Sequence, residues 1–128
     1  MVLIVEDDAL LRMLAVEIVE EAGFMAIEAA DADQAIALLE FRSDIALLLT
    51  DIDMPGSMNG LKLAHAVRNR WPPIKILVVS GEVRPRPYEL PLDSRFLAKP
   101  YATAALVEGL RALEALSGNP ARELGSIH

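Results

Sequence analysis

Five short apolar runs are separated by stretches in which apolar residues recur every three or four positions, the pattern of strands alternating with amphipathic helices. Val2 to Val5 is continuously apolar and stops at Glu6-Asp7-Asp8. From Leu11, apolar positions fall at Leu11, Leu14, Ala15, Ile18, Val19 and Ala22, one helical face, with Asp8 as N-cap and Gly23 ending the helix. Phe24 to Ala29 reads as a second strand. Asp31 with Gln34 has the form of a capping box and opens a second helix that buries Ala32, Ala35, Ile36 and Leu39. Ile45 to Leu49 has the length of a strand buried on both faces, which places Asp51 at its carboxyl end. Asn59 caps a third helix with Leu61, Ala64, Val67 and Trp71 on one face, stopped by Pro72-Pro73. Ile74 to Val79 and Phe96 to Ala98 are the fourth and fifth strands, ending in Ser80-Gly81 and Lys99-Pro100. Thr103 opens a last helix with Leu106, Val107, Leu110 and Leu113 inward, closed by Gly118 and Pro120. The domain is expected to span 1–118, with 119–128 a disordered tail that has little to bury.

Such alternation implies βαβ units, hence a doubly wound α/β fold with a parallel sheet and helices on both faces. One stretch breaks the pattern. Gly81 to Ser94 contains Pro85, Pro87 and Pro91, while Arg84, Arg86, Glu89 and Asp93 interrupt any apolar stripe. A proline inside a helix costs roughly 3 kcal/mol, so at most a single turn is expected there, in a mobile segment.

Composition narrows the class. At 128 residues the chain fits one domain, and 53% hydrophobic with 5% aromatic residues means an aliphatic core. The absence of cysteine excludes disulfides and thiolate metal sites. A net charge of −7 with scattered basic residues argues against a nucleic-acid surface. Met1 runs straight into the first strand without a signal-type leader, and no apolar stretch reaches bilayer length, so a cytoplasmic protein without membrane contact is expected. That start also favours a free-standing protein over an excised domain. His65 and His128 read as surface residues.

A lone Asp after a strand usually just begins a turn. Here, however, the ends of strands one, three, four and five carry Glu6-Asp7, Asp51, Ser80 and Lys99, and in a parallel sheet these ends point the same way. Converging carboxylates near 4 to 5 Å repel by about 3 to 4 kcal/mol per pair at an effective dielectric of 20, so the cluster needs a cation. Oxygen-only ligands favour a hard divalent ion, most simply Mg²⁺. A carboxylate is also a competent nucleophile toward phosphoryl groups, with Mg²⁺ and a lysine absorbing charge on the equatorial oxygens.

The acid pair Glu6-Asp7, the run Asp51-Ile52-Asp53-Met54-Pro55 with Asn59-Gly60, Ser80-Gly81, and Phe96-Leu97-Ala98-Lys99-Pro100-Tyr101 stand in the order and spacing of the receiver domains of two-component response regulators. From Val2 to about Leu116 the chain resembles that family. The resemblance implies a flavodoxin-like sheet ordered 2-1-3-4-5. It implies that Asp51 accepts a phosphoryl group from the phosphohistidine of a histidine kinase or histidine phosphotransfer protein. It further implies Mg²⁺ held by Asp7 and Asp51 directly, by Glu6 mainly through water, and by the Asp53 backbone carbonyl. Lys99 would pair with the phosphoryl oxygens or, before phosphorylation, with Asp51. Ser80 and Phe96 would be the switch pair that reports phosphorylation. The family's fourth helix falls on the proline-rich stretch and is expected to be short or missing, so the usual output surface is in doubt, and phosphorylation is expected to order the segment. No output domain follows, so signalling would pass to a separate downstream protein, from a monomer or weak dimer. Two other functions compete: a Mg²⁺-dependent phosphatase of the haloacid dehalogenase type, whose nucleophile motif is also Asp-x-Asp, and a pseudo-receiver that binds a partner without being phosphorylated.

Overall fold

A computed structural model describes residues 1–56 and 58–117. Their elements run β1 (Val2–Val5), α1 (Ala9–Glu21), β2 (Ala26–Ala29), α2 (Ala32–Phe41), β3 (Leu47–Asp51), α3 (Gly60–Arg70), β4 (Lys75–Ser80), a 3-10 turn (Pro87–Glu89), β5 (Ser94–Ala98) and α4 (Thr103–Ser117). Among the described residues the strands form one sheet in the order β2-β1-β3-β4-β5, with parallel pairing throughout, as the flavodoxin-like expectation requires. The closure at Gly118 and Pro120 and the 119–128 tail lie outside the described residues.

Alternation along the buried strands divides the core. Leu3, Val5, Leu48, Ile76 and Val78 face α2 and α3, while Val2, Ile4, Leu47, Leu49, Leu77 and Val79 face α1 and α4. The expected caps form: Asp8 Oδ1 accepts the amides of Leu10 and Leu11, Asp31 Oδ1 that of Gln34, and Asn59 Oδ1 that of Lys62. Gly23, with φ +97°, turns the chain after α1.

Several boundaries shift, for physical reasons. β3 begins at Leu47 and runs through Thr50 and Asp51, because a polar residue does not end a ladder whose neighbours continue; Thr50 pairs with Val5 and Asp51 with Val79. In α3 it is Leu63 that is fully buried, with Leu61 only partly so. Leu11 and Leu14 lie on the inward stripe of α1 but remain 44% and 43% exposed, walling a groove described below.

Between β4 and β5 the described residues contain no α-helix, only the Pro87–Glu89 turn, as the prolines dictate. Where composition alone predicts a mobile segment, its later part, residues 89–93, is hydrogen-bonded to α3. The Arg68 guanidinium on α3 donates to the carbonyls of Leu92 (2.7 Å), Pro72 (2.7 Å) and Ile74 (2.8 Å) and reaches Asp93 O at 3.4 Å, and His65 Nε2 lies 2.6 Å from Glu89 O. Leu90 and Phe96 cover the adjoining part of the sheet.

Candidate functional site: an acidic crevice at the strand ends

Register assembles the site. Val5 lies opposite Thr50, so Glu6 emerges level with Asp51; Asp51 lies opposite Val79, and Ser80 opposite Ala98, so Lys99 emerges beside them. The Asp51 turn is fixed from below by α3: Gly60 N–H donates to Ile52 O at 3.0 Å, and a Cβ on Gly60 would overlap the Asp51 carbonyl group. Only glycine fits at that approach. Arg12 braces the other side, its Nη1 donating to Glu6 O at 2.8 Å while its Nε bonds Glu28 at 2.9 Å.

Carboxylate oxygens of Glu6, Asp7 and Asp51 all lie within 4.8 Å of one another, an all-oxygen group that could hold a metal ion. Glu6 and Asp51 are buried and Asp7 is exposed, so the cluster opens to solvent on one side. Lys99 Nζ supplies the positive charge, at 2.8 Å from Glu6 Oε1 and 3.4 Å from Asp51 Oδ2. The expected Lys99–Asp51 pairing is present, but the shorter bond goes to Glu6, whose other oxygen accepts the Asp8 amide at 3.2 Å. Burial raises the Asp51 carboxyl from its ordinary 3.8 to about 6; the Glu6 charge pushes the same way, and Lys99 opposes both. Burial alone would lower the Lys99 ammonium, yet its hydrogen bond to Glu6 and the charges of Asp51 and Glu6 outweigh that and raise it.

Ser80 is fully buried, and its hydroxyl donates to Asp53 Oδ2 at 2.7 Å while accepting the Val83 amide at 2.9 Å. Asp53 stays close to the cluster through its own amide, which donates to Asp51 Oδ1 at 3.3 Å. Phe96 is not brought into the crevice: it sits on β5 opposite Val78, half-buried against the α2/α3 face of the core. Asp8 is engaged as a helix cap, and Trp71 closes α3 with the Arg70 guanidinium 4.3 Å over its ring. Beside Asp51 and Lys99 a groove of about 610 Å³ opens, walled by Leu11, Leu14 and Ile18 of α1 and by Pro100 and Tyr101. Arg12 and Arg68, which brace the site and the adjoining segment, carry no local sequence signal, since their partners lie on other elements.

Comparison with known proteins agrees with this geometry. The profile of the response regulator receiver domain matches residues 2–111. The chain is 36% identical over 114 residues to the transcriptional regulatory protein CpxR of Escherichia coli K12, an alignment covering 88% of this chain and 48% of CpxR, so it spans about half the length of that relative. It is 33% identical over 109 residues to the response regulator receiver protein CpdR of Brucella abortus, covering 83% of this chain and 89% of CpdR. The crystal structure of a response regulator receiver protein from Sinorhizobium medicae superposes with a TM-score of 0.82 at 26% identity, covering 88% of this chain and 91% of that one. Among the described residues no helix is long and apolar enough to cross a membrane.

Proposed function

The chain belongs to the response regulator receiver domain family, a family of signalling domains rather than conventional enzymes, and on that premise we propose that Asp51 is its phosphoacceptor, charged by a histidine kinase or histidine phosphotransfer protein. The observation that carries this is the buried Asp51 at the end of β3, held among Glu6, Asp7 and Lys99. An Asp51 oxygen attacks phosphorus, the phosphorus–nitrogen bond to the partner's histidine breaks, and the imidazole leaves with the electron pair and takes up a proton. Lys99, already 3.4 Å from Asp51, neutralises charge that gathers on the phosphoryl oxygens. The groove along Leu11, Leu14 and Tyr101 gives an imidazole an apolar wall beside Asp51.

The carboxylate cluster suits Mg²⁺: its donors are all oxygen, they lie within 4.8 Å of one another, and three carboxylates face the single ammonium of Lys99. Asp7 and Asp51 would hold the ion directly, Glu6 through water, and Asp53 through its backbone carbonyl. When bound, the ion supplies charge neutralisation for the phosphoryl oxygens and keeps Asp51 ionised. Ser80 and Phe96 are the pair proposed to respond, on the cytoplasmic side of a phosphorelay.

Incubation with Mg²⁺ and a small-molecule phosphodonor, followed by intact mass, tests the assignment. One phosphoryl adduct on the parent protein and none on Asp51→Asn is the expected result. Rapid donor turnover without an adduct favours a phosphatase of the haloacid dehalogenase type; no reaction favours a pseudo-receiver.

A further inference from the structure

Ser80 owns a single hydroxyl proton, and in this structure it is committed to the Asp53 carboxylate at 2.7 Å. The same hydroxyl oxygen accepts the Val83 amide at 2.9 Å, tying the start of the segment between β4 and β5 to that arrangement. The Ser80 backbone is held independently, its carbonyl accepting Lys99 N at 2.9 Å and Arg84 Nη1 at 3.2 Å, so a reorientation of Ser80 is confined to its side chain. Farther along, Arg68 and His65 fix residues 89–93 to α3, while Arg84 is held on the Ser80 carbonyl and Arg86 on Glu89, so the Val83 amide is the point that depends on the hydroxyl.

We propose that the Asp53 side chain is a latch: it holds the Ser80 hydroxyl, and through it the Val83 amide, and a phosphoryl group on Asp51 must win the Ser80 proton from it. This rests on Asp51 being the phosphoacceptor, and it gives Asp53 a role beyond its backbone carbonyl. One proton cannot serve two anions at once. The Asp53 amide already donates to Asp51 Oδ1 at 3.3 Å, so the two acceptors are neighbours on one short turn. When the hydroxyl turns to a phosphoryl oxygen, the lone pair facing Val83 N–H turns away as well, and the Val83 amide is released. Asp53 is thus a positioning residue that acts through Ser80 and sets how much of the phosphorylation signal is spent on opening the latch.

The test uses the whole chain as parent, Asp53→Ala, Asp53→Asn, Ser80→Ala and the Asp53→Ala/Ser80→Ala double variant. Two readouts are taken: amide exchange at Val83 without ligand, and affinity for beryllofluoride at saturating Mg²⁺ by calorimetry. Asp53→Ala should speed Val83 exchange about tenfold or more, as far as Ser80→Ala does, whereas Asp53→Asn, which keeps an acceptor oxygen, should retain most of the protection. Asp53→Ala should also tighten beryllofluoride binding by about tenfold, and most of that gain should vanish in the Ser80→Ala background. Unchanged Val83 exchange in Asp53→Ala overturns the latch. So does an equal affinity gain in both backgrounds, which would mean simple relief of charge repulsion. A parent that binds no beryllofluoride overturns the phosphoacceptor assignment and the competition together, whereas normal parental binding with either adverse result above overturns the latch alone.

Discussion

Replacing Asp51 by Asn should make the metal-free protein more stable at neutral pH, although it removes the residue around which the site is built. The Asp51 carboxyl is raised from 3.8 to about 6, chiefly by burial and then by Glu6. Below pH 3.8 both folded and unfolded chains hold the proton. Between 3.8 and about 6 the folded chain keeps a proton that the unfolded chain has lost, so stability falls as pH rises through that window and stays lowered above it. A rise of that size corresponds to about 3 kcal/mol at 1.36 kcal/mol per pH unit. Water at the open side of the crevice, and the Lys99 contact at 3.4 Å that the variant weakens, reduce the net gain to about 1–2 kcal/mol. For a domain of this size that is a rise in Tm of about 3–6 °C. Thermal melts of parent and Asp51→Asn in chelator, from pH 4 to 8, measure it: the difference should be near zero at the acid end and reach its plateau by about pH 7. A variant no more stable than the parent at pH 7.5, or a gain that does not depend on pH, would refute the account of an Asp51 carboxylate disfavoured by burial and by Glu6 repulsion.

Millimolar Mg²⁺ should raise the Tm of the parent by relieving that repulsion, and Asp7→Ala should lose most of the rise; a parental Tm indifferent to Mg²⁺ counts against the cluster as a metal site. Gly60→Ala should destabilise by more than about 2 kcal/mol, because the added Cβ overlaps the Asp51 carbonyl group; a melt within 1 °C of the parent would show that α3 does not clamp the end of β3. Arg68→Ala should leave the core intact but free Leu92 and Asp93, visible as faster amide exchange across 88–94 and unchanged exchange in β1 and β3.

The features legible in the sequence are those set by local periodicity. Each apolar run stops at or within two residues of a strand's carboxyl end, which places Glu6, Asp7, Asp51, Ser80 and Lys99 there and makes them neighbours in a parallel sheet. The three prolines ruled out a helix between β4 and β5 for reasons of backbone chemistry alone. What stayed hidden depends on tertiary contact. Polarity at Thr50 and Asp51 ended the run early, whereas their ladder partners Val5 and Val79 carry the strand on. The firm hold on residues 89–93 comes from Arg68 and His65 on α3, more than twenty positions away along the chain. Lys99 reaches Glu6 across 93 positions, and Ser80 meets Asp53 across 27, distances at which no local pattern speaks.

Everything proposed for the site depends on the phosphoryl group residing on Asp51. Borohydride reduces an acyl phosphate to the alcohol, so treating the phosphorylated protein with borohydride and sequencing its peptides by mass spectrometry reads the site directly. Homoserine is expected at position 51 and intact aspartate at positions 7 and 53. Reduction at either of those positions, or an adduct that survives borohydride unchanged, would contradict that assignment.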